Sequence, residues 1–384
     1  MEHSEALSDV IGVPVHLKCE NLQRAGSFKI RGAYTRMAKL DAQERARGVV
    51  AASAGNHAQG VALAARLLGL HATVYMPHGA AMPKLQATRG YGATVHQVGG
   101  TIDECIRAAQ EHEARTAAVF VPPFDHPDIV AGQGTCGLEI LDQVPDVQTV
   151  LVCTGGGGLL GGIATAVRSS HPDVRVIGVQ AEQAAAWPAS LEAGHPVALE
   201  RMRTMADGIA VGRPGDVPFA VVREWVQEIA TVGEDEIARA VLFCIERARM
   251  VVEPAGAAAV AHLLSGRTGP LRGPVVAVLS GGNVDPLLLL RIIRSGLSVA
   301  GRYLQLTVRV PDNPGSLALL LTHLAAEQVN VLDVQHARTE AWLRVQEVQI
   351  AITVETEGHE HSQRVQQTLR EQGYLMATPP GQRG

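Results

Sequence analysis

The sequence contains few aromatic residues, few charges and no closely spaced cysteines. Of its 384 residues, 3% are aromatic and 18% are charged, and the net charge is −5 without any dense run of Lys or Arg. Nucleic acid and anionic membranes are therefore not expected as partners. The five cysteines form no Cys-x-x-Cys pair, so their spacing predicts neither a zinc site nor a disulfide framework.

Long apolar runs and a signal peptide are lacking as well. The longest apolar run, PLLLL at Pro286, is too short to cross a bilayer. The N-terminal MEHSEALSDVIG has neither the basic start nor the apolar stretch of a secretory signal. These features predict a cytoplasmic protein, and the length of the chain predicts two or more folding units.

From Val13 to about Ser295, short apolar runs alternate with amphipathic segments. This alternation predicts an α/β fold of open parallel sheets covered by helices, with ligands bound at the carboxyl ends of the strands. The predicted buried strands are VPVHLKC, GVVAAS, HATVYMP, ATVHQV, AAVFVP, TVLVCTG, VRVIGVQ and PVVAVLS.

The pattern changes after Gly301. A strand (YLQLTVRV), a helix (NPGSLALLLTHLAAEQ), two strands separated by a turn at Thr339–Ala341, a charged helix and a last strand (YLMATP) follow in order. This βαββαβ order predicts a ferredoxin-like sandwich. We therefore expect domains at 1–297 and 301–384, with a smaller subdomain at about 35–135 inside the first.

The run TGGGGLLGG, Thr154–Gly162, follows a predicted strand and precedes a helical segment. Glycines at such a junction allow backbone N–H groups to surround a phosphate at the positive end of the helix. The run also has Gly156, Gly158 and Gly161 in GxGxxG register, with Glu182 after the next strand, which is the pattern of a dinucleotide site. The glycines alone do not separate these two interpretations.

Two other strand ends are polar or rich in glycine, SAGNHAQG (Ser53–Gly60) and LSGGN (Leu279–Asn283). Each could be an ordinary cap or turn, but three such ends at one crevice favour a binding site. Most lysines on helices are solvated. Lys29 differs because it follows Phe28, whose apolar ring could lower the amine pKa, and a neutral amine is what imine formation with pyridoxal phosphate requires.

GSFKIRGA, SAGNHAQG, GGGGL and SGGN, in this order, resemble motifs of the threonine dehydratases (threonine ammonia-lyases). These are type II pyridoxal 5′-phosphate enzymes with a tryptophan synthase β-like fold. The resemblance implies that residues 1–297 are a catalytic domain. In the C-terminal part, VPDNPGSLALLL and NVLDVQHAR resemble an ACT regulatory domain.

The resemblance also implies residue roles. Lys29 would bind the cofactor as an imine and act as the base at Cα, and Phe28 would lie against the cofactor. Asn56 would bind the ring 3′-oxygen and Ser280 would meet the pyridine nitrogen. The phosphate would be bound by the main chain of Gly155, Gly156, Gly157, Gly158 and Leu159, and the substrate carboxylate by Ser53, Ala54, Gly55, Asn56 and His57.

The implied reaction is dehydration of L-threonine, and of L-serine, to 2-oxobutanoate or pyruvate and ammonia. An amino-acid effector would bind the ACT domain near Asn313, Gly315 and Asn330, although ordinary turn and cap residues of an assembly domain explain these positions equally well. The chain would form a homodimer or homotetramer. No essential metal is expected, because MADGIAVG supplies Asp207 without a second acidic residue just upstream. Glu253 in VVEPAGAAAV matches the family, although a first-turn acid favoured by the helix dipole explains it equally well.

Three alternatives remain open from the sequence. A serine racemase of the same fold has the same motifs. An NAD-dependent oxidoreductase would explain the GxGxxG register but would leave GSFKIRGA, SAGNHAQG and SGGN without a role. A non-catalytic amino-acid sensor would have no need of Lys29.

Overall fold

The computed structural model describes residues 1–338 and 343–376. The chain divides into two compact units, Met1–Leu289 and Leu290–Gly384. The predicted boundary at 297–301 lies slightly later, at the end of the helix that spans the division, Pro286–Val299. Among the described residues, no helix has both the length and the apolar composition needed to cross a membrane.

The first unit contains ten strands and twelve complete helices within its described residues. The strands are β1 (Glu2–His3), β2 (Val15–Cys19), β3 (Val49–Ala52), β4 (Ala72–Met76), β5 (Thr94–Gln97), β6 (Val119–Phe120), β7 (Thr149–Cys153), β8 (Arg175–Ala181), β9 (Glu228–Val232) and β10 (Val275–Leu279). The helices are α1 (Glu5–Ile11), α2 (Lys29–Ala38), α3 (Ala42–Arg47), α4 (Asn56–Leu68), α5 (Met82–Gly90), α6 (Ile102–Thr116), α7 (Pro127–Gln143), α8 (Gly158–Arg168), α9 (Ala186–Ala193), α10 (Asp216–Trp225), α11 (Glu234–Glu246) and α12 (Pro254–Leu264), with α13 (Pro286–Val299) following.

These strands form two sheets. One has the order β1-β2-β10-β7-β8-β9 and is parallel except for β1, and the other has the order β5-β4-β3-β6 and is parallel throughout. Every residue of β3, β4, β7 and β10 is buried, as expected of parallel strands covered on both faces. The smaller sheet lies within the range predicted for the smaller subdomain.

Strand β10 is inserted between β2 and β7. Val275 pairs with Val15 of β2 and with Thr149 of β7. Because these strands are parallel, their carboxyl ends lie at one edge of the sheet. This arrangement brings LSGGN beside the glycine run that follows β7.

The second unit contains β11 (Tyr303–Pro311), α14 (Ser316–Ala326), β12 (Asn330–Ala337), β13 (Glu347–Glu355), α15 (His359–Glu371) and β14 (Leu375–Met376). Its antiparallel sheet has the order β12-β13-β11-β14, which is the predicted βαββαβ sandwich. Apolar residues from the sheet and both helices, including Val308, Ile350 and Val365, form its core. The predicted turn at Thr339–Ala341 and the end of YLMATP lie outside the described residues.

Candidate active site

Lys29 is the first residue of α2 and lines a pocket at the carboxyl ends of β7 and β10. Its Nζ donates a hydrogen bond to the main-chain oxygen of Pro123 at 2.9 Å and lies 5.1 Å from the centre of the Phe28 ring. Desolvation of the amine lowers the pKa of Lys29 to about 8. A large fraction of the amine is therefore neutral in mildly alkaline solution, which suits a nucleophile or a base.

The segment before Lys29 is hydrogen-bonded to the loop after β10. The main-chain N–H of Phe28 donates to Ser280 O at 3.1 Å, and that of Gly282 donates to Gly26 O at 2.9 Å. Ser280 is buried and also lines the pocket. These bonds hold Lys29 and Ser280 at the same site although they are far apart in the sequence.

The glycine run forms the loop between β7 and α8. Gly157 caps the helix with a φ of 94°, a conformation that a side chain would strain. A Cβ on Gly156 would lie 2.5 Å from ring atoms of Phe124. The indole Nε1 of Trp187 donates to Gly155 O at 2.7 Å and fixes the other side of the loop. The first N–H groups of α8 have no acceptor within the helix and are free to bind a phosphate.

Asn56 belongs to a buried polar network. Its Nδ2 donates to Glu253 Oε1 at 2.6 Å, and its Oδ1 accepts from Asn283 Nδ2 at 3.0 Å. Burial raises the pKa of Glu253 to about 7, an effect that the nearby Lys84 ammonium opposes. The network fixes the amide of Asn56 and leaves the second N–H of Nδ2 for a ligand.

A second pair of charges adjoins this network. Lys84 Nζ lies 2.9 Å from Asp207 Oδ2. Burial opposes the charge of Lys84, but the attraction of Asp207 outweighs it and raises the pKa of the lysine. Asp207, the one acidic residue considered for a cation, thus has a lysine as its partner. Within the described residues, no group of three or more His, Cys, Asp and Glu side chains could hold a metal ion.

Most of the predicted site residues line this pocket. They are Phe28, Lys29, Asn56, Gly155, Gly156, Gly157, Gly158, Leu159 and Ser280. Ser53, Ala54, Gly55 and His57 do not belong to its lining. The Ser53 hydroxyl accepts from Gly55 N at 3.1 Å, and the ring of His57 donates from Nε2 to Val121 O at 2.8 Å. Burial lowers the pKa of His57 to about 3, so this side chain is neutral and structural.

Several lining residues were not predicted as site residues. They are Pro123, Phe124, Gln133, Cys153, Gly208, Ile209, Val211, Glu253 and Ala255. Gln133 Oε1 and Glu253 Oε2 are buried, and neither has a hydrogen-bond partner within the described residues. These two atoms face no protein donor and are therefore available to a polar ligand in the pocket.

The comparisons with known proteins decide between the phosphate and dinucleotide interpretations. Residues 1–281 match the family model described as "Pyridoxal-phosphate dependent enzyme". The L-threonine ammonia-lyase of Geobacter sulfurreducens is 46% identical over 374 residues, which are 97% of this chain and 93% of the relative. The chain belongs to the threonine ammonia-lyase family of pyridoxal-phosphate dependent enzymes.

Solved structures of this family have the same fold. The processed form of threonine deaminase isoform 2 from Solanum lycopersicum matches with a TM-score of 0.73 and 38% identity, covering 77% of this chain and 87% of that one. Maize serine racemase matches with a TM-score of 0.72 and 33% identity, covering 77% and 91%. The catalytic unit therefore has the type II fold that the motifs predicted.

The pocket fits pyridoxal phosphate, the cofactor of this family. It has an amine with a lowered pKa, a glycine loop at a helix N-terminus and the neutral hydroxyl of Ser280. The GxGxxG register belongs to the same loop, and Glu182 begins a short 3₁₀ helix after β8. The dinucleotide interpretation is thereby replaced by phosphate binding.

The residues predicted to bind an effector lie at two ends of the second unit. Asn313 and Gly315 follow the end of β11, where Pro311 pairs with Glu347. Asn330 begins β12 and pairs with Glu355, which faces Tyr303 at the start of β11. At about 3.4 Å per residue, the nine-residue β11 separates these ends by roughly 27 Å. One small ligand cannot contact both groups within a single copy.

Proposed function

We propose that this enzyme deaminates L-threonine to 2-oxobutanoate and ammonia, and L-serine to pyruvate and ammonia. The observation that carries the proposal is the 46% identity with an L-threonine ammonia-lyase over 97% of the chain. The amine of Lys29 beside the glycine loop supports it independently, because the reaction needs a base at the cofactor.

Pyridoxal phosphate, when bound, withdraws electrons from Cα of the substrate and makes the Cα proton acidic. Lys29 Nζ accepts this proton, and its pKa of about 8 lets it hold and return a proton near neutral pH. The β-hydroxyl takes up one proton and leaves as water, which gives an enamine. The enamine tautomerises to an imine, and water adds to this imine and expels ammonia to give the 2-oxo acid.

The remaining residues orient the reacting groups. N–H groups of Gly155–Leu159 would bind the phosphate, and Phe28 would lie against the cofactor. Asn56, whose amide is fixed by Glu253, would donate to the 3′-oxygen. Ser280 would offer its neutral hydroxyl to the pyridine nitrogen. The main chain from Ser53 to His57 precedes and begins α4, and those of its N–H groups that do not donate within the protein would bind the substrate carboxylate.

The test uses the purified holoenzyme. It measures the formation of 2-oxobutanoate from L-threonine, and the formation of pyruvate and of D-serine from L-serine. Lys29→Ala should reduce turnover by about 10²–10⁴-fold or more, because it removes the base. Lys39→Ala is the matched control, since Lys39 lies at the other end of α2 and pairs with Asp128 on the surface. Unchanged turnover in Lys29→Ala would refute the catalytic assignment of Lys29. If the parent enzyme forms D-serine but no 2-oxo acid, it is a racemase.

We further propose that the second unit is an ACT-type regulatory domain that binds an amino acid, and that the enzyme is a homo-oligomer. The βαββαβ topology supports the first part. The separation of Asn330 from Asn313 and Gly315 supports the second, because two copies could bring such groups to one ligand.

We also propose that the enzyme is cytoplasmic. All five cysteines are free thiols, as expected in a reducing compartment.

Regulation is tested by threonine turnover at increasing isoleucine or valine concentrations. Gly315→Ala should raise the isoleucine concentration for half-inhibition by about fivefold or more, because a side chain strains the φ of 93° at this turn. Turnover that is independent of both amino acids would contradict effector control by them. Sedimentation velocity of the full chain measures its oligomeric state.

A further inference from the structure

Cys153 is the last residue of β7, and Ser280 directly follows β10, the neighbouring parallel strand. Both residues are buried, with 4% and 2% of their surface exposed, and both line the cofactor pocket. The proposed function gives Ser280 a role at the pyridine nitrogen. It gives Cys153 none.

The two side chains are hydrogen-bonded. The Cys153 thiol donates to Ser280 Oγ, with a sulfur–oxygen distance of 3.0 Å. Burial raises the pKa of this thiol to about 11, so the sulfur keeps its proton at neutral pH. Within the described residues, Ser280 Oγ is the only hydrogen-bond acceptor that the thiol reaches.

This contact constrains the serine hydroxyl. A hydroxyl has one proton to donate and two lone pairs that accept. When the thiol occupies a lone pair, the O–H bond must point away from Cys153. The backbone of Ser280 is also fixed, because its carbonyl oxygen accepts from Phe28 N at 3.1 Å. Rotation of the hydroxyl is therefore the freedom that the thiol removes.

We propose that Cys153 is a positioning residue that turns the Ser280 hydroxyl into the pocket as a donor to the pyridine nitrogen of the cofactor. This inference rests on the proposed function. A hydroxyl that donates to the nitrogen favours its unprotonated, neutral form. Cys153 acts through Ser280 and transfers no proton or electron itself.

The experiment is a double-mutant cycle on the holoenzyme with Cys153→Val, Ser280→Ala and the double variant. Valine is close to cysteine in size and cannot donate, so it fills the strand position without the hydrogen bond. Cys153→Ser restores a donor at the same position. Cys244→Val, at another fully buried cysteine on α11, is the matched control.

The first readout is the absorption spectrum of the bound cofactor between pH 6 and 9. The second is the dissociation constant of the cofactor, measured by the quenching of tryptophan fluorescence. Cys153→Val should weaken cofactor binding about threefold to tenfold, as expected for one buried hydrogen bond, and shift the absorption spectrum. Cys153→Ser should restore both. In the Ser280→Ala background, Cys153→Val should have no further effect.

Three results would overturn the proposal. The first is that Cys153→Val weakens cofactor binding equally in the Ser280→Ala background. The second is that Cys153→Ser does not restore cofactor binding, and the third is that Cys244→Val weakens it as much as Cys153→Val does. If Cys153→Val fails to fold, Cys153→Ser compared with Cys153→Ala provides the same contrast. Because threonine is absent from these measurements, a parent enzyme that binds the cofactor but does not deaminate threonine would refute only the proposed function.

Discussion

Replacement of Glu253 by Gln should make the protein more stable above pH 7 and leave its stability below about pH 4 nearly unchanged. Burial raises the pKa of this carboxyl from 4.5 to about 7. Each unit by which a pKa is raised corresponds to about 1.4 kcal/mol. Ionising Glu253 therefore costs about 3 kcal/mol more in the folded protein than in the unfolded chain.

The sign follows from the protons bound in each state. Below pH 4.5 the carboxyl is protonated in the folded and the unfolded chain. Between pH 4.5 and about 7 the folded protein keeps the proton that the unfolded chain has lost, so stability falls as pH rises. Above pH 7 the whole cost is present. Gln keeps the acceptor for Asn56 Nδ2 and has no charge to bury.

The assay is urea unfolding of the apoenzyme at pH 5, 6, 7 and 8, followed by tryptophan fluorescence. Omitting the cofactor keeps its dissociation out of the unfolding equilibrium. The difference in unfolding free energy between Glu253→Gln and the parent should rise from about 1 kcal/mol at pH 5 to about 3 kcal/mol at pH 8. Glu111→Gln, an exposed position on α6, is the control. A difference that does not vary with pH, or a variant less stable at pH 8, would refute the reasoning.

Three further substitutions test other parts of the structure. Gly156→Ala should weaken cofactor binding about tenfold, because its Cβ would lie 2.5 Å from an aromatic ring, whereas Gly79→Ala in open space should not. Asp207→Asn should destabilise the protein by about 1 kcal/mol at low salt and less at high salt, since the aspartate is 59% exposed; urea unfolding measures both. Ile350→Ala should lower the unfolding free energy of the second unit by about 2–5 kcal/mol in the same assay.

The apolar runs predicted most strands of the first unit correctly. β7 and β10 are buried throughout, so their sequences contain little but apolar residues. β9 was missed because it is mostly half-buried and mixes polar and apolar residues. β1 was missed because a strand of two residues is too short to show an alternation of polar and apolar residues.

The site residues were also predicted where a local sequence pattern marks them and missed where none does. Lys29, Ser280 and the glycine run stand in short motifs, and a motif is a property of neighbouring residues. Glu253 could not be distinguished from an ordinary first-turn acid, because its partner Asn56 lies 197 residues away. His57 belongs to a motif, yet packing turns its ring to Val121 and away from the pocket.

Local periodicity and residue types at short spacing were enough to predict most of the strand–helix order of the first unit, the βαββαβ unit and the cofactor-binding motifs. Which strands lie next to each other could be learned from the tertiary structure alone. The insertion of β10 between β2 and β7 places Cys153 against Ser280, and the register of β12 separates Asn330 from Gly315. Contacts of this kind depend on chain segments that meet in space, and no local pattern specifies them.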